Sequence, residues 1–201
     1  MTKKVILLTL APVFMATKKE LRSKYLHLRK SLALEEVEQM SLAIATKALE
    51  LPIWDADYFH LFMPIEANNE VDTTALMPLL MGRDKSVVLP KVVEGTLKHY
   101  LLQDSTLLAI NDWGIPEPVS GIEVQHTQLE VVFVPLLAFD QRGHRVGYGK
   151  GMYDGFLGQC APEVIKIGLS FFEAESDFEE VFPTDIPLDY CLTPKRIYRF
   201  N

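Results

Sequence analysis

The chain has 201 residues, 48% of them hydrophobic and 23% charged, and a formal net charge of −7 at pH 7. That size and composition describe a single globular domain with a proper core and exclude a disordered or fibrous chain. The acidic balance excludes a general nucleic-acid binder, so a locally cationic segment in this chain points to a small anionic ligand.

The chain opens with MTKKVILLTLAPVFMA, two lysines followed by an apolar run. This resembles a secretory signal, but cleavage after Ala11 would set Pro12 at the scissile bond, and cleavage after Ala16 leaves bulky Phe14 just upstream. The run is also too short to cross a bilayer. An extra strand, or an over-called start ahead of Met15, are the alternatives for this extension of residues 1–15.

From Thr17 the pattern is helical: Thr17 and Glu20 form a capping box, and Leu21, Tyr25, Leu28 and Leu32 recur on one face. A second amphipathic helix is predicted over 35–50 through Val37, Met40, Leu42, Ile44 and Leu49. DYFHLFMPI (57–65) reads as a strand and EANNE as a loop. Asp72 or Thr73 caps a helix to about Met81. SVVLPKV (86–92) and LKHYLLQ (97–103) read as strands, and NDWGIPEPVSG (111–121) as a turn-rich loop. EVVFVPLLAF (130–139) is apolar on both faces, as in the centre of a parallel sheet. IKIGLSF (165–171) is a similar strand, and RIYRF closes the chain.

Strands alternating with helices, without repeats or low-complexity segments, predict a single α/β domain over 16–201. The expected form is a three-layer, open, mostly parallel sheet with helices on both faces. Ligands in such sheets bind outside the carboxyl ends of the strands. Cys160 and Cys191 have no CxxC company, so no disulfide framework is expected and a reducing, cytoplasmic compartment fits. The histidines lack zinc-ligand spacing.

At one predicted strand end lies RGHRVGYGKGMYDGFL (142–157). Its glycines let backbone N–H groups form a concave anion nest. Arg145 and Lys150 add full charge, and a helix starting near Tyr153 would add its positive end. The pattern describes a phosphate cradle. It is neither a Walker A loop, because Gly151 follows Lys150 where Ser or Thr is required, nor a dinucleotide fingerprint. Spacing alone names no nucleotide class.

LLAFDQRGHRVGYGKGMYDGFL closely resembles the signature of the 5-formyltetrahydrofolate cyclo-ligase family (5,10-methenyltetrahydrofolate synthetases). Phe139, Asp140, Gly143, Arg145, Gly147, Gly149, Gly151, Tyr153 and Asp154 match its pattern. KKELR, NEVDT, LPK, WGIPEP and DIPLD match in family order, so the resemblance runs from about Thr17 to Thr193. Met152 departs from it, standing where the family usually has an aromatic residue. FMPIEANNEVDT looks slightly longer than usual, and residues 1–15 have no counterpart. A chain begun at Met15 is therefore expected to fold and keep full activity.

The resemblance implies an enzyme that uses ATP and Mg²⁺ to convert 5-formyltetrahydrofolate to 5,10-methenyltetrahydrofolate. It implies that Lys18 and Arg22 reach the ATP phosphates together with Arg145, Lys150 and the loop residues Gly147, Tyr148, Gly149, Gly151 and Tyr153. Arg145, Lys150 and Tyr153 are the expected catalytic groups. Glu70, Trp113 and Met152 are expected at the folate, and Asp154 and Asp189 at the metal. A monomer that needs neither membrane nor nucleic acid is expected. On spacing alone plainer readings stand: a solvated basic face for Lys18 and Arg22, a first-turn acid for Glu70, a core residue for Trp113, a helix cap for Asp154 and a loop acid for Asp189. Two rival functions also fit a phosphate cradle. One is a phosphosugar isomerase or acyl-transferase relative, and the other a nucleotide-binding module without activity.

Overall fold

The computed structural model describes residues 16–178 and 180–200. The readings of residues 1–15 as leader, strand or dispensable extension lie outside the described residues. Two helices come first, α1 (Lys18–Lys30) and α2 (Leu34–Ala48). Strand β1 (Tyr58–His60) leads through a 3-10 turn (Thr73–Leu76) into the short helix α3 (Met77–Met81). The hairpin β2 (Ser86–Val93) and β3 (Thr96–Leu101) follows, then the two-stranded ribbon β4 (Leu108–Ile110) and β5 (Pro116–Pro118). Strand β6 (Val131–Pro135) precedes a second small ribbon, β7 (Ala138–Phe139) and β8 (Arg145–Val146). Helix α4 (Met152–Leu157) and strands β9 (Ile165–Leu169), β10 (Tyr190–Leu192) and β11 (Ile197–Arg199) complete the chain.

Seven strands form the main sheet in the order β11-β10-β9-β6-β1-β2-β3. The pairs from β10 to β2 are parallel, and the two outermost pairs, β2–β3 and β10–β11, are antiparallel. This is the expected mostly parallel α/β sheet. β6 sits near its middle because its residues are apolar on both faces. The period of two is visible in the packing. Val131 and Phe133 join one core with Ile44, Ala45 and Ala48 of α2, whereas Val132 and Val134 join another with Phe156 and Leu157 of α4. A third, smaller core seats α1, through Leu21 and Tyr25, on Leu137, Ala138 and Val146 of the β7–β8 ribbon.

The predicted strand over 130–139 is in fact two. Pro135, which has no N–H to extend a ladder, ends β6. Leu137 N then donates to Val146 O at 2.7 Å, and the chain turns into the β7–β8 ribbon instead of continuing in the sheet. That ribbon holds the glycine loop at the carboxyl edge of β6. The stretch 111–121, read as loop, contains β5. No described helix is long and apolar enough to cross a membrane.

Candidate functional site

A cavity of about 1080 Å³ opens at the carboxyl edge of the sheet. Phe62 and Met63 follow β1 into it, Pro90 and Val92 project from β2, and Pro135 ends β6 at its rim. Every predicted site residue except Asp189 lines it.

One wall is cationic and is built by α1 against the glycine loop. The capping box forms as expected, Thr17 N donating to Glu20 Oε2 at 2.9 Å and Glu20 N to Thr17 Oγ1 at 3.3 Å. It fixes the start of α1, and with it Lys18 and Arg22 one turn apart on the same face. Arg22 Nε donates to Gly147 O at 3.0 Å. Its guanidinium lies so close to Gly149 that an added Cβ there would meet it at 3.3 Å, and Gly149 has φ +86°. Gly151, the residue before α4, has φ +67°. Both positions favour glycine, as the turn requires. Lys150 is exposed between them.

Lys18 is only 6% exposed, and its Nζ pairs with Asp185 Oδ2 at 2.5 Å. Burial works against ionisation of Asp185, but the hydrogen bonds from Lys18 and from Phe182 N outweigh it and hold the carboxyl below its ordinary range. Arg145 pairs with Asp154 Oδ1 at 2.7 Å and donates to Ile186 O. Burial pulls the Arg145 guanidinium down, opposed by Asp154 and Asp185. Asp154 also accepts Ile186 N at 3.1 Å.

The Arg145–Asp154 and Lys18–Asp185 pairs therefore tie the glycine loop, α1 and the 182–186 segment together around two carboxylates. Asp189 is not among them. Its Oδ2 accepts Lys166 N at 2.7 Å and pairs with Lys166 Nζ at 2.8 Å, which binds it to β9 away from the cavity. Within DIPLD the acid that lines the cavity is Asp185.

No cluster of three or more His, Cys, Asp or Glu suited to a metal occurs among the described residues. A divalent cation here would lean on one or two carboxylates and on phosphate oxygens, which is the habit of magnesium. Asp154 and Asp185, both on the cavity wall and next to the cations, fit that donor set.

Glu70 sits at the floor in a buried network. A 3-10 turn (Glu66–Asn68) and Asn69, with φ 46°, reverse the chain so that Glu70 Oε2 accepts Ile65 N at 2.8 Å. Its Oε1 accepts the Tyr148 hydroxyl at 2.7 Å and lies 3.8 Å from Arg29 Nη1. Arg29 also donates to the Tyr148 hydroxyl. Burial raises the Glu70 carboxyl, against the pull of Arg29, Ile65 N and Tyr148. Burial and the Glu70 charge push the Tyr153 phenol well up, so that it stays a neutral donor.

The other wall is apolar. Trp113, at the turn of the β4–β5 ribbon, is 49% exposed and faces the cavity with Ile115, Leu97 and Met152. Asn111 Oδ1 fixes that turn by accepting Trp113 N at 2.9 Å and Ile115 N at 3.0 Å. Arg29, Asp185 and Glu117 were not singled out from the sequence. Arg29 follows Lys18, Arg22 and Tyr25 along one face of α1, a run at helical spacing that could have identified it.

The 5-formyltetrahydrofolate cyclo-ligase family model matches residues 14–194. A probable 5-formyltetrahydrofolate cyclo-ligase of Schizosaccharomyces pombe is 28% identical over 81% of this chain and 88% of its own. The 5-formyltetrahydrofolate cyclo-ligase of Haemophilus influenzae is 29% identical over 85% of this chain and 94% of its own. Among solved structures, the 5,10-methenyltetrahydrofolate synthetase of Aquifex aeolicus superposes with a TM-score of 0.80 at 33% identity, covering 92% of this chain and 93% of that one.

Proposed function

Since the chain belongs to the 5-formyltetrahydrofolate cyclo-ligase family, we propose that it is a ligase that uses ATP to convert 5-formyltetrahydrofolate to 5,10-methenyltetrahydrofolate. The observation that carries this reading is a single cavity joining a cationic glycine-loop wall to an apolar wall with Trp113. One wall suits phosphates and the other suits a flat heterocycle.

A formamide oxygen is a poor leaving group, so ring closure needs it activated. In the proposed course that oxygen attacks the γ-phosphorus of ATP, and ADP leaves. N10 then attacks the formyl carbon of the resulting iminium phosphate, its proton passes to the departing phosphate, and the C–O bond breaks with release of that phosphate. Such transfers depend on positioning and on stabilising spread charge more than on covalent help from the protein. Lys18, Arg22, Arg145 and Lys150 supply that charge, and the N–H groups of the glycine loop supply the nest. Asp154 and Asp185 would hold Mg²⁺, which when bound neutralises charge on the phosphate oxygens. Glu70 would stand at the floor beside the folate, oriented by Arg29 and Tyr148. Met152 offers a flexible thioether where the family usually has a ring.

Purified protein given 5-formyltetrahydrofolate, ATP and Mg²⁺ should form methenyltetrahydrofolate, read by its near-UV absorbance, with ADP and phosphate in equal amounts. Omitting ATP or chelating the metal should stop it. Phosphate release that proceeds equally without folate, or ATP binding with no methenyl product, would sink the proposal.

A further inference from the structure

The cavity has a second buried carboxylate, and its circumstances differ from those of Glu70. Trp113, at the turn of the β4–β5 ribbon, and Ile115 and Glu117, on the arm that follows it, all line the cavity. Alternation at period two puts Ile115 and Glu117 on one face of the arm, and the turn brings Trp113 to the same cavity. Glu117 is 9% exposed, and its Oε1 accepts Val92 N at 3.0 Å. Among the described residues, no lysine, arginine or histidine pairs with it, and its Oε2 has no hydrogen-bond donor. Nor is Oε2 among the occluded, partnerless polar atoms of the described residues. It is therefore not sealed off, and Glu117 lines the cavity together with Val92, Leu97, Trp113 and Ile115.

A carboxylate oxygen that no protein group engages can exchange solvent for a ligand donor without breaking a protein hydrogen bond, and such a charge-assisted bond is a strong one. At Glu70 the partners come from the protein itself, hydrogen bonds from Tyr148 and Ile65 N and the charge of Arg29 at 3.8 Å. At Glu117 the protein engages only Oε1, through Val92 N, and Oε2 is free to accept from a ligand. An ionised carboxylate only accepts, so the ligand must present N–H groups there, and it must be flat to lie beside Trp113. Anionic groups are repelled from this wall and belong on the cationic one.

We propose that Glu117 is a further substrate-binding residue whose Oε2 accepts the adjacent N–H donors on the pterin edge of the folate. The inference rests on the folate reading above. Adenine also carries an amino donor, so the two substrates must be separated by experiment.

The variants are Glu117→Gln, which keeps an oxygen for Val92 N but turns the free acceptor into a donor, and Glu117→Ala, which removes both. Folate binding is measured without ATP by quenching of tryptophan fluorescence, KM is measured for each substrate, and Tm for each protein. Glu117→Gln should weaken folate binding and raise folate KM by about tenfold to a hundredfold, the worth of a hydrogen bond to a charged group. Its ATP KM and Tm should stay near wild type, while Glu117→Ala also loses stability. If Glu117→Gln binds folate like the wild type, or if only its Tm falls, Glu117 is structural and the assignment is wrong. A rise in ATP KM alone would give the wall to adenine and overturn the pterin assignment. If the wild type itself binds no folate, the functional reading fails, and this inference with it.

Discussion

Replacing Arg29 with methionine tests the floor of the cavity. The Arg29 and Glu70 side chains are 4% and 3% exposed and lie 3.8 Å apart. At that separation two unit charges attract by about 4 kcal/mol with an effective dielectric of about 20. Removing one member of a buried pair typically costs about 3–5 kcal/mol, because the other charge is stranded. In a chain of this size that lowers Tm by about 10 °C or more. The pH dependence is more diagnostic than the size. The Glu70 carboxyl is already raised by burial, with Arg29 opposing the rise. Without Arg29 it rises further, so the folded chain holds the Glu70 proton more tightly than the unfolded chain does. A group with a raised carboxyl contributes most below its unfolded value of 4.5 and loses that contribution as pH climbs through the folded value. The Arg29→Met deficit should therefore be larger at pH 8 than at pH 5.5, because a lower pH favours the protonated Glu70, which has no charge to strand. Urea denaturation at the two pH values reads both numbers, and adding Glu70→Gln to Arg29→Met should recover much of the pH 8 loss. A deficit below about 1 kcal/mol, or one equal at both pH values, would show that no charged pair operates there.

Lys150→Ala should lower kcat/KM by about a hundredfold or more while leaving Tm near wild type, since Lys150 is exposed on the loop and its value is electrostatic; a loss below tenfold would remove it from the phosphate site. Asp185→Asn and Asp154→Asn should weaken magnesium dependence and turnover together, whereas Asp189→Asn should leave the magnesium titration unchanged, because Asp189 is held by Lys166. A shifted magnesium titration in Asp189→Asn would return that residue to the metal. Burial depresses His60 to about 3 and His99 to about 2. Both are then neutral in the fold and charged in the unfolded chain at pH 5, so stability is full above the ordinary 6.5 and falls as pH drops. The two together add about 2.7 kcal/mol per pH unit near pH 5, and His99→Leu should remove about half of that slope. An unchanged slope would mean that His99 is protonated in the folded protein.

What the sequence disclosed about this site depended on how local each feature is. The glycine loop was legible because its own consecutive residues dictate its turns, with Gly149 and Gly151 at positive φ and Arg145 and Lys150 beside them. Lys18 and Arg22 were legible because a capping box sets where α1 begins, and helical spacing then does the rest. Choosing Asp185 over Asp189 needed more, since both lie in DIPLD and only the fold decides that one meets Lys18 and the other Lys166. The split of 130–139 was hidden for a related reason: an unbroken apolar run does not record where a chain leaves one sheet for another ribbon.

β5 is the sharpest case. Two prolines in three residues read as loop, because proline cannot donate to a ladder. Yet the bonds that hold this ribbon at its ends, Asn111 N to Ile115 O at 2.9 Å and Val119 N to Leu107 O at 2.8 Å, ask for no N–H from Pro116 or Pro118. Proline is thus tolerated at both positions, and its fixed φ keeps the arm extended. An extended arm is what makes Ile115 and Glu117 face the same way, toward the cavity that Trp113 also lines. The feature that disguised the strand is also the one that aims its carboxylate at the cavity.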